Sequence, residues 1–383
     1  MKQIFKRKLS LSDKTDTFFL WGMRQTGKST LLKNSFNNSF WIDLLKSTEF
    51  RRYMQNPELL IQEIQLKKPD FVVIDEIQKV PALLDSVHWV IENIGTKFAL
   101  CGSSARKVKR GKANLLGGRG IFFELYGFSA IELGEKFDLH RILNHGYIPD
   151  IYLSNNPLPL LNNYVSQYLK EEIAAEGIIR HLPSFSEFLN MASLSDGEIV
   201  NYSTIARDTG VSSQTIRGYF EILCDTLIGR FLQPYKRRPK RRITRSPKFY
   251  FYDIGTVNFL ARRGIILPKS ELFGKAFENW IFHELCCYNT YNERFADFYY
   301  WRLSGGTEVD FIINNIECAI EAKGTYSINS RHIKNLRQLK KDYPEIKKMI
   351  IVSMDEKDRI SEDKIEILHY STFIKKLWNG YFF

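Results

Sequence analysis

Gly22, four intervening residues and then Gly27-Lys28-Ser29 form a spacing whose chemistry is the cradling of a polyphosphate. The two glycines let the backbone turn tightly enough to bring its N–H groups against phosphate oxygens. A helix restarting at Lys28 aims the positive end of its dipole at the same anion. In that arrangement Lys28 reaches the β- and γ-phosphates and the Ser29 hydroxyl holds Mg²⁺. Average residue usage would produce this spacing by accident in roughly one chain in a hundred of this length. A second chemical group is Asp75-Glu76, which closes the apolar run Phe71-Val72-Val73-Ile74. Asp75 is placed to support Mg²⁺ and Glu76 to polarise an attacking water.

Two further positions belong to the same reading. The run from Lys97 to Cys101 ends in Gly102-Ser103-Ser104. Ser103 or Ser104 fits the role of sensing the γ-phosphate, and each fits a plain Gly–Ser turn equally well. Arg119 lies among glycines and fits stabilisation of transition-state charge, in cis or from a neighbouring subunit of an oligomer. It also fits an exposed loop.

The elements that must position these groups alternate in type. Short apolar runs at 18–21, 40–44, 71–75, 97–101 and 121–125 read as strands, several buried on both faces, with helical spacing between them. That alternation predicts an α/β fold with a doubly wound parallel sheet, ligands lying at the carboxyl ends of the strands.

Asn155-Asn156-Pro157-Leu158-Pro159 breaks the composition and suggests a boundary, after which 160–175 is helical in pattern. From 201 to 232 the chain reads as a helix-turn-helix of winged-helix type. One helix runs from Tyr202 with Ser203 as its cap, Thr209-Gly210-Val211 turns the chain, and a second helix runs from Ser212 to Leu223. Ile205, Ala206, Val211, Ile216, Phe220 and Leu223 would be its core. If the module reads DNA, Ser213, Gln214 and Arg217 face the major groove; such modules also serve as protein docking units or lids. Residues 236–245 then pack seven cations into ten positions, an exposed segment suited to phosphate contacts that carry no sequence preference.

Near the carboxyl end, Thr307 to Ile313 and Ile316 to Lys323 flank Asn314-Asn315, a two-residue hairpin signal. That loop would put Ile313 opposite Ile316, Asp310 opposite Ala319 and Glu308 opposite Glu321. Glu321 would then be the diagonal neighbour of Asp310, with Asp310, Glu321 and Lys323 on one face. Asp310 and Glu321 would share a second divalent cation, Mg²⁺ or Mn²⁺, with Lys323 neutralising developing charge.

At 383 residues and 44.9 kDa the chain has room for two or three domains. A formal charge of +12 and a pI near 9.3 favour an anionic partner. Five cysteines without a C-x-x-C pair argue against a disulfide framework or a zinc site. The first 17 residues lack an apolar h-region and no run is long enough to span a membrane, so a cytoplasmic setting is expected.

Trp21-Gly22-Met23-Arg24-Gln25-Thr26-Gly27-Lys28-Ser29-Thr30, Val73-Ile74-Asp75-Glu76, Cys101-Gly102-Ser103-Ser104 and Gly118-Arg119 resemble prokaryotic AAA-type ATPases that carry a C-terminal domain of long-unassigned function. The Arg24-Gln25 pair before Gly27-Lys28 is more specific than the general phosphate-loop pattern. The resemblance implies an AAA-like P-loop NTPase domain over 1–150 and a helical and winged-helix region over 151–245. Over 246–383 it implies a restriction-endonuclease-like domain, in which Glu278 on the preceding helix matches the extra acid of such nuclease cores. The family usually has an acid in a Tyr-Leu-x-x-Asp-like run; here Glu172 stands there, without an assigned role. The function so implied is a Mg²⁺-dependent ATPase joined to a DNA-binding, DNA-cleaving domain. The alternative is an ATP-switched DNA-binding or scaffold protein with an inactive nuclease fold.

Overall fold

The computed structural model describes residues 5–104 apart from 12 and 15, then 116–169, 182–236 and 246–383. Glu172 and the basic residues 237–245 lie outside these. The chain divides into two compact units, Met1–Gly127 with Ile222–Ile228, and Phe128–Glu221 with Gly229–Phe383.

In the first unit five strands form one sheet: β1 (Phe18–Trp21), β2 (Phe40–Asp43), β3 (Phe71–Asp75), β4 (Lys97–Gly102) and β5 (Ile121–Glu124). Their order is β2-β3-β4-β1-β5, and every pairing is parallel. The reason lies in the runs themselves: all of β1 and nearly all of β3 and β4 are buried, as strands covered by helices on both faces must be. Phe19, Ile42, Val72, Ile74, Phe98 and Leu100 share one core with Leu83, Val87 and Val90 of the helix Leu83–Asn93. The strand β4 lies between the strand that leads into the phosphate loop and the strand that ends in Asp75. Its carboxyl end, Ser103, therefore emerges between Lys28 and Glu76.

The second unit holds a sheet of eight strands: β6 (Gly229–Pro234), β7 (Lys248–Phe251), β8 (Phe298–Arg302), β9 (Glu308–Ile313), β10 (Cys318–Lys323), β11 (Lys348–Ser353), β12 (Arg359–Ile360) and β13 (Ile365–His369). Their order is β12-β13-β11-β10-β9-β8-β6-β7. The helix Glu271–Tyr291 is buried along most of its length, with Phe273, Phe277, Trp280, Ile281 and Leu285 in the interior beside the polar Asn279, His283 and Glu284.

The structure corrects the hairpin register. The turn is Asn314–Glu317, four residues rather than two, and Ile313 pairs with Cys318, Ile312 with Ala319 and Phe311 with Ile320. Asn314 and Ile316 both take left-handed backbone, φ 53° and 59°. The cause is apolar burial: Ile316 is 1% exposed and joins the core of Ile312, Ala319 and Met349, which a tight Asn-Asn turn would have denied it. The pairing is displaced by two residues, so the side-chain faces survive while the partners change. Asp310 comes level with Glu321 instead of Ala319, and Glu308 is no longer opposite Glu321.

Other differences are smaller. The prolines at 157 and 159 start a helix, Pro157–Asn163, because proline suits a first turn. Its pattern continues as a π-helical turn, Tyr164–Leu169. The helix Tyr202–Thr209 is capped by Asn201, whose side chain accepts from the Thr204 N–H at 3.1 Å, rather than by Ser203. Gly210 ends it in left-handed backbone at φ 68°, and the helix Ser213–Asp225 follows. Of the expected small core, Val211 is half-exposed and the other members are buried. The strands β6 and β7 then form an antiparallel pair whose connection contains the basic run.

Candidate functional site

The loop from Gly22 to Gly27 carries the geometry that anion binding needs. Gly27 sits at φ 91° immediately before the helix Lys28–Ser35, and Gln25 also has left-handed backbone at φ 65°. Gly22 answers a different demand: a Cβ there would overlap the Leu125 carbonyl oxygen where β5 leaves the sheet. Thr26 is fully buried and donates its hydroxyl to Met23 O at 2.8 Å, which ties the loop to itself. Arg7, which the sequence reading passed over, clamps the loop from outside. It donates to Thr26 O at 2.6 Å and to Tyr126 O at 2.7 Å. Arg24 is half-buried, whereas Gln25 and Thr30 are exposed.

Lys28 is 5% exposed, and its ammonium donates to Gly22 O at 2.8 Å and Met23 O at 2.9 Å. The lysine is thus already folded over the loop. Ser29 donates its hydroxyl to Asp75 Oδ2 at 2.6 Å, while Asp75 Oδ1 is buried without a hydrogen-bond partner. A hydroxyl and a carboxylate with an unsatisfied oxygen are hard oxygen donors of the type Mg²⁺ takes, so these residues fit the ion.

Beside them is a relay that the sequence reading missed. Gln78 donates its amide to Glu76 Oε2 and to the Ser103 hydroxyl at 3.0 Å, and Ser103 in turn donates to Glu76 Oε2 at 3.3 Å. Gln78 and Ser103 are buried, and Glu76 takes left-handed backbone at φ 61° where β3 turns into a short 3₁₀ turn. Sheet order brings Ser103 here; the signal available in sequence was only a glutamine two residues after Glu76, in the turn Ile77–Lys79. Ser104 is fully buried next to it.

Arg119 stands elsewhere. It precedes β5, whose first residue pairs with Phe18 at the start of β1, and its guanidinium meets Glu92 at 2.5 Å. It borders a cavity of about 290 Å³ with Asp16, Thr17, Lys97 and Ile121. Four residues of β1, at about 3.3 Å each, separate this edge from the phosphate loop. Within one chain Arg119 does not join Lys28 and Glu76.

A second polar cluster forms in the other unit. Asp310 is buried, and its Oδ2 accepts from the Ala322 N–H at 2.8 Å, beyond the last paired residues of the hairpin. Glu321 is fully buried; its Oε1 meets Lys323 at 2.8 Å and Asn335 at 3.0 Å, and its Oε2 has no hydrogen-bond partner. Burial and the nearby Glu278 push the Asp310 carboxyl up, against the pull of Lys323 and Lys248. Burial likewise raises Glu321, with Lys323 opposing. Glu278 faces the same cluster but is engaged, taking bonds from Lys248 at 3.0 Å and from the Tyr250 hydroxyl at 2.5 Å. Among the described residues no group of three or more His, Cys, Asp or Glu side chains is disposed to hold a metal ion. The expected cation at Asp310 and Glu321 would have two carboxylates to hold it.

In the helix Ser213–Asp225, Gln214 is exposed and Ser213 half-exposed, while the Arg217 guanidinium lies 4.0 Å from the centre of the Tyr202 ring.

Residues 14–134 match the family profile described as AAA domain. That stretch takes in all five strands of the first sheet, so this part of the chain is similar to AAA-type ATPase domains. Beyond the AAA-like domain, residues 136–265 and 273–373 match two profiles, each described as a domain of unknown function (DUF8612 and DUF4143). Uncharacterized proteins of Mycobacterium bovis and Mycobacterium tuberculosis are each 24% identical over 302 residues, which cover 77% of this chain and 66% of the relative. The chain thus spans less than two thirds of the length of these relatives. Among solved structures, the replication initiator DnaA bound to AMPPCP and single-stranded DNA is similar at 15% identity and a TM-score of 0.28. That alignment covers 56% of this chain and 83% of the other. The Orc1 protein of Aeropyrum pernix in complex with DNA is similar at 12% identity and a TM-score of 0.24, covering 66% and 88%. No described helix is long and apolar enough to cross a membrane.

Proposed function

We infer that the AAA-like domain binds ATP with Mg²⁺ and hydrolyses it, and that this cycle governs how the second unit engages DNA. The observation that carries the reading is the bond from Ser29 to Asp75, with an unsatisfied Asp75 oxygen beside a lysine already folded over the loop. Ser29 and Asp75 would hold Mg²⁺, which when bound neutralises charge on the phosphate oxygens. Lys28 exchanges its two loop carbonyls for phosphate oxygens, and the backbone N–H groups from Arg24 to Thr30 line the anion. Glu76 orients the water through its carboxylate, and Gln78 and Ser103 fix where that carboxylate points. Arg119, too far away within its own chain, is left for the site of a neighbouring subunit. Phosphate release by the purified chain tests the reading: steady turnover by the wild type, abolished in Glu76→Gln, is expected, and equal turnover by the two overturns it.

For the second unit the reading is a restriction-endonuclease-like fold with a winged-helix region before it. Its support is the shared face of Asp310, Glu321 and Lys323 and the basic helix Ser330–Asp342, where Asn335 reaches Glu321. One observation favours a DNA-binding form that does not cleave: Glu278, the acid expected to complete the site, is held by Lys248 and Tyr250. Incubation of plasmid DNA with Mg²⁺ or Mn²⁺, beside an Asp310→Ala control, separates the two. Nicking lost in the control supports cleavage, and intact plasmid in both supports binding alone.

A further inference from the structure

Lys248 opens β7, and its side chain is 2% exposed. A buried ammonium is held in protein only when opposite charge surrounds it. Here two acids from separate elements do so. Nζ lies 3.0 Å from Glu278 Oε1, on the helix Glu271–Tyr291, and 2.5 Å from Glu308 Oε1, at the start of β9. The arrangement is completed on both flanks. The Tyr250 hydroxyl donates to the same Glu278 oxygen at 2.5 Å, and Arg302 meets Glu308 Oε2 at 2.6 Å. Carboxylates from a helix and a strand, converging on one cation, are also how proteins hold divalent ions such as Mg²⁺ and Mn²⁺.

We propose that Lys248 is a built-in cation, standing where a divalent ion would otherwise bridge Glu278 and Glu308, and that it keeps a latent metal site closed. The lysine is a positioning residue: it fixes Glu278 against the sheet and withholds it from the neighbouring Asp310 and Glu321. This holds whether or not the unit cleaves DNA, so its failure leaves the ATPase reading untouched.

The test uses the full chain without nucleotide, with Mn²⁺ as the probe. In Lys248→Gln the thermal midpoint should fall in metal-free buffer and recover with Mn²⁺, by about 5 °C at roughly a hundredfold excess over the dissociation constant. The variant should also bind one more Mn²⁺ than the wild type, counted from the loss of the free-ion paramagnetic resonance signal. Lys248→Gln/Glu278→Gln should lose both gains, and Lys248→Arg should show neither. An unaltered midpoint in Lys248→Gln, or a lowered one that Mn²⁺ does not restore, overturns the proposal. If Lys248→Gln is insoluble, growth in Mn²⁺-supplemented medium should rescue it; insolubility under both conditions overturns the proposal too.

Discussion

The Ser29 hydroxyl donates to Asp75 Oδ2 across 2.6 Å, joining the first turn of the helix after the phosphate loop to the end of a strand two places away in the sheet. The bond leaves Asp75 Oδ1 buried without a hydrogen-bond partner, next to a hydroxyl oxygen whose lone pairs could serve the same cation. Ser29→Ala should therefore weaken the apparent Mg²⁺ affinity in the presence of ATP by about 10- to 100-fold, leaving metal-free nucleotide binding nearly unchanged. Titration of Mg²⁺ against a fluorescent nucleotide reads this. A loss of nucleotide binding that is the same with and without Mg²⁺ would contradict it.

Gln78 links Glu76 to Ser103. Gln78→Ala should lower kcat by about 100-fold, within the range for a misplaced base, while KM for ATP moves little. Steady-state kinetics distinguish this from general damage, which would also raise KM.

Gly22 faces the Leu125 carbonyl oxygen with no room for a methyl group. Gly22→Ala should destabilise the first unit by about 1–3 kcal/mol and remove nucleotide binding, because either the loop or β5 has to shift. Chemical denaturation with and without ATP checks both effects. An unaltered midpoint would show that the loop gives way easily.

Glu284 is fully buried and takes bonds from the Ala130 N–H at 2.6 Å and from the Trp280 and Trp378 indoles at 3.2 and 3.3 Å. Burial pushes its carboxyl up to about 7, with those donors opposing and Glu132 adding to the rise. The folded value lies above the unfolded 4.5, so stability is fully present below about pH 4.5 and declines as pH rises toward 7. Glu284→Gln should remove that part of the decline. Thermal midpoints of the two proteins from pH 4.5 to 7.5 measure it; parallel curves would contradict it.

Much of the first unit is legible in the sequence because its strands are short apolar runs with no competing period, and because Gly22, Gly27 and Lys28 have a fixed local spacing. The place of Glu76 just past the end of β3 is legible for the same reason. Gln78 is not, since its role comes from β4 lying beside β3, which is a matter of sheet order. The hairpin at 314–317 shows a different limit. Asn-Asn favours a two-residue turn locally, yet burying Ile316 outweighs that preference, and the pairing moves by two. Lys248 was invisible because its two acids are distant in the chain. The strand β6 was hidden behind the helix that precedes it.

The net charge of +12 and the basic helix Ser330–Asp342 predict binding to duplex DNA of random sequence that weakens about tenfold or more between 50 and 200 mM salt. Gel shifts across that range test it, and absence of binding at the lowest salt would remove the nucleic-acid role.

Calorimetric titration of the full chain with ATP and Mg²⁺, wild type against Lys28→Ala, tests the nucleotide site most directly. The lysine already folded over the loop should make the wild type bind at one site per chain, and Lys28→Ala should bind at least about tenfold more weakly, as expected on losing a charged contact to phosphate. Equal affinities, or no heat from either protein, would contradict the assignment of this loop.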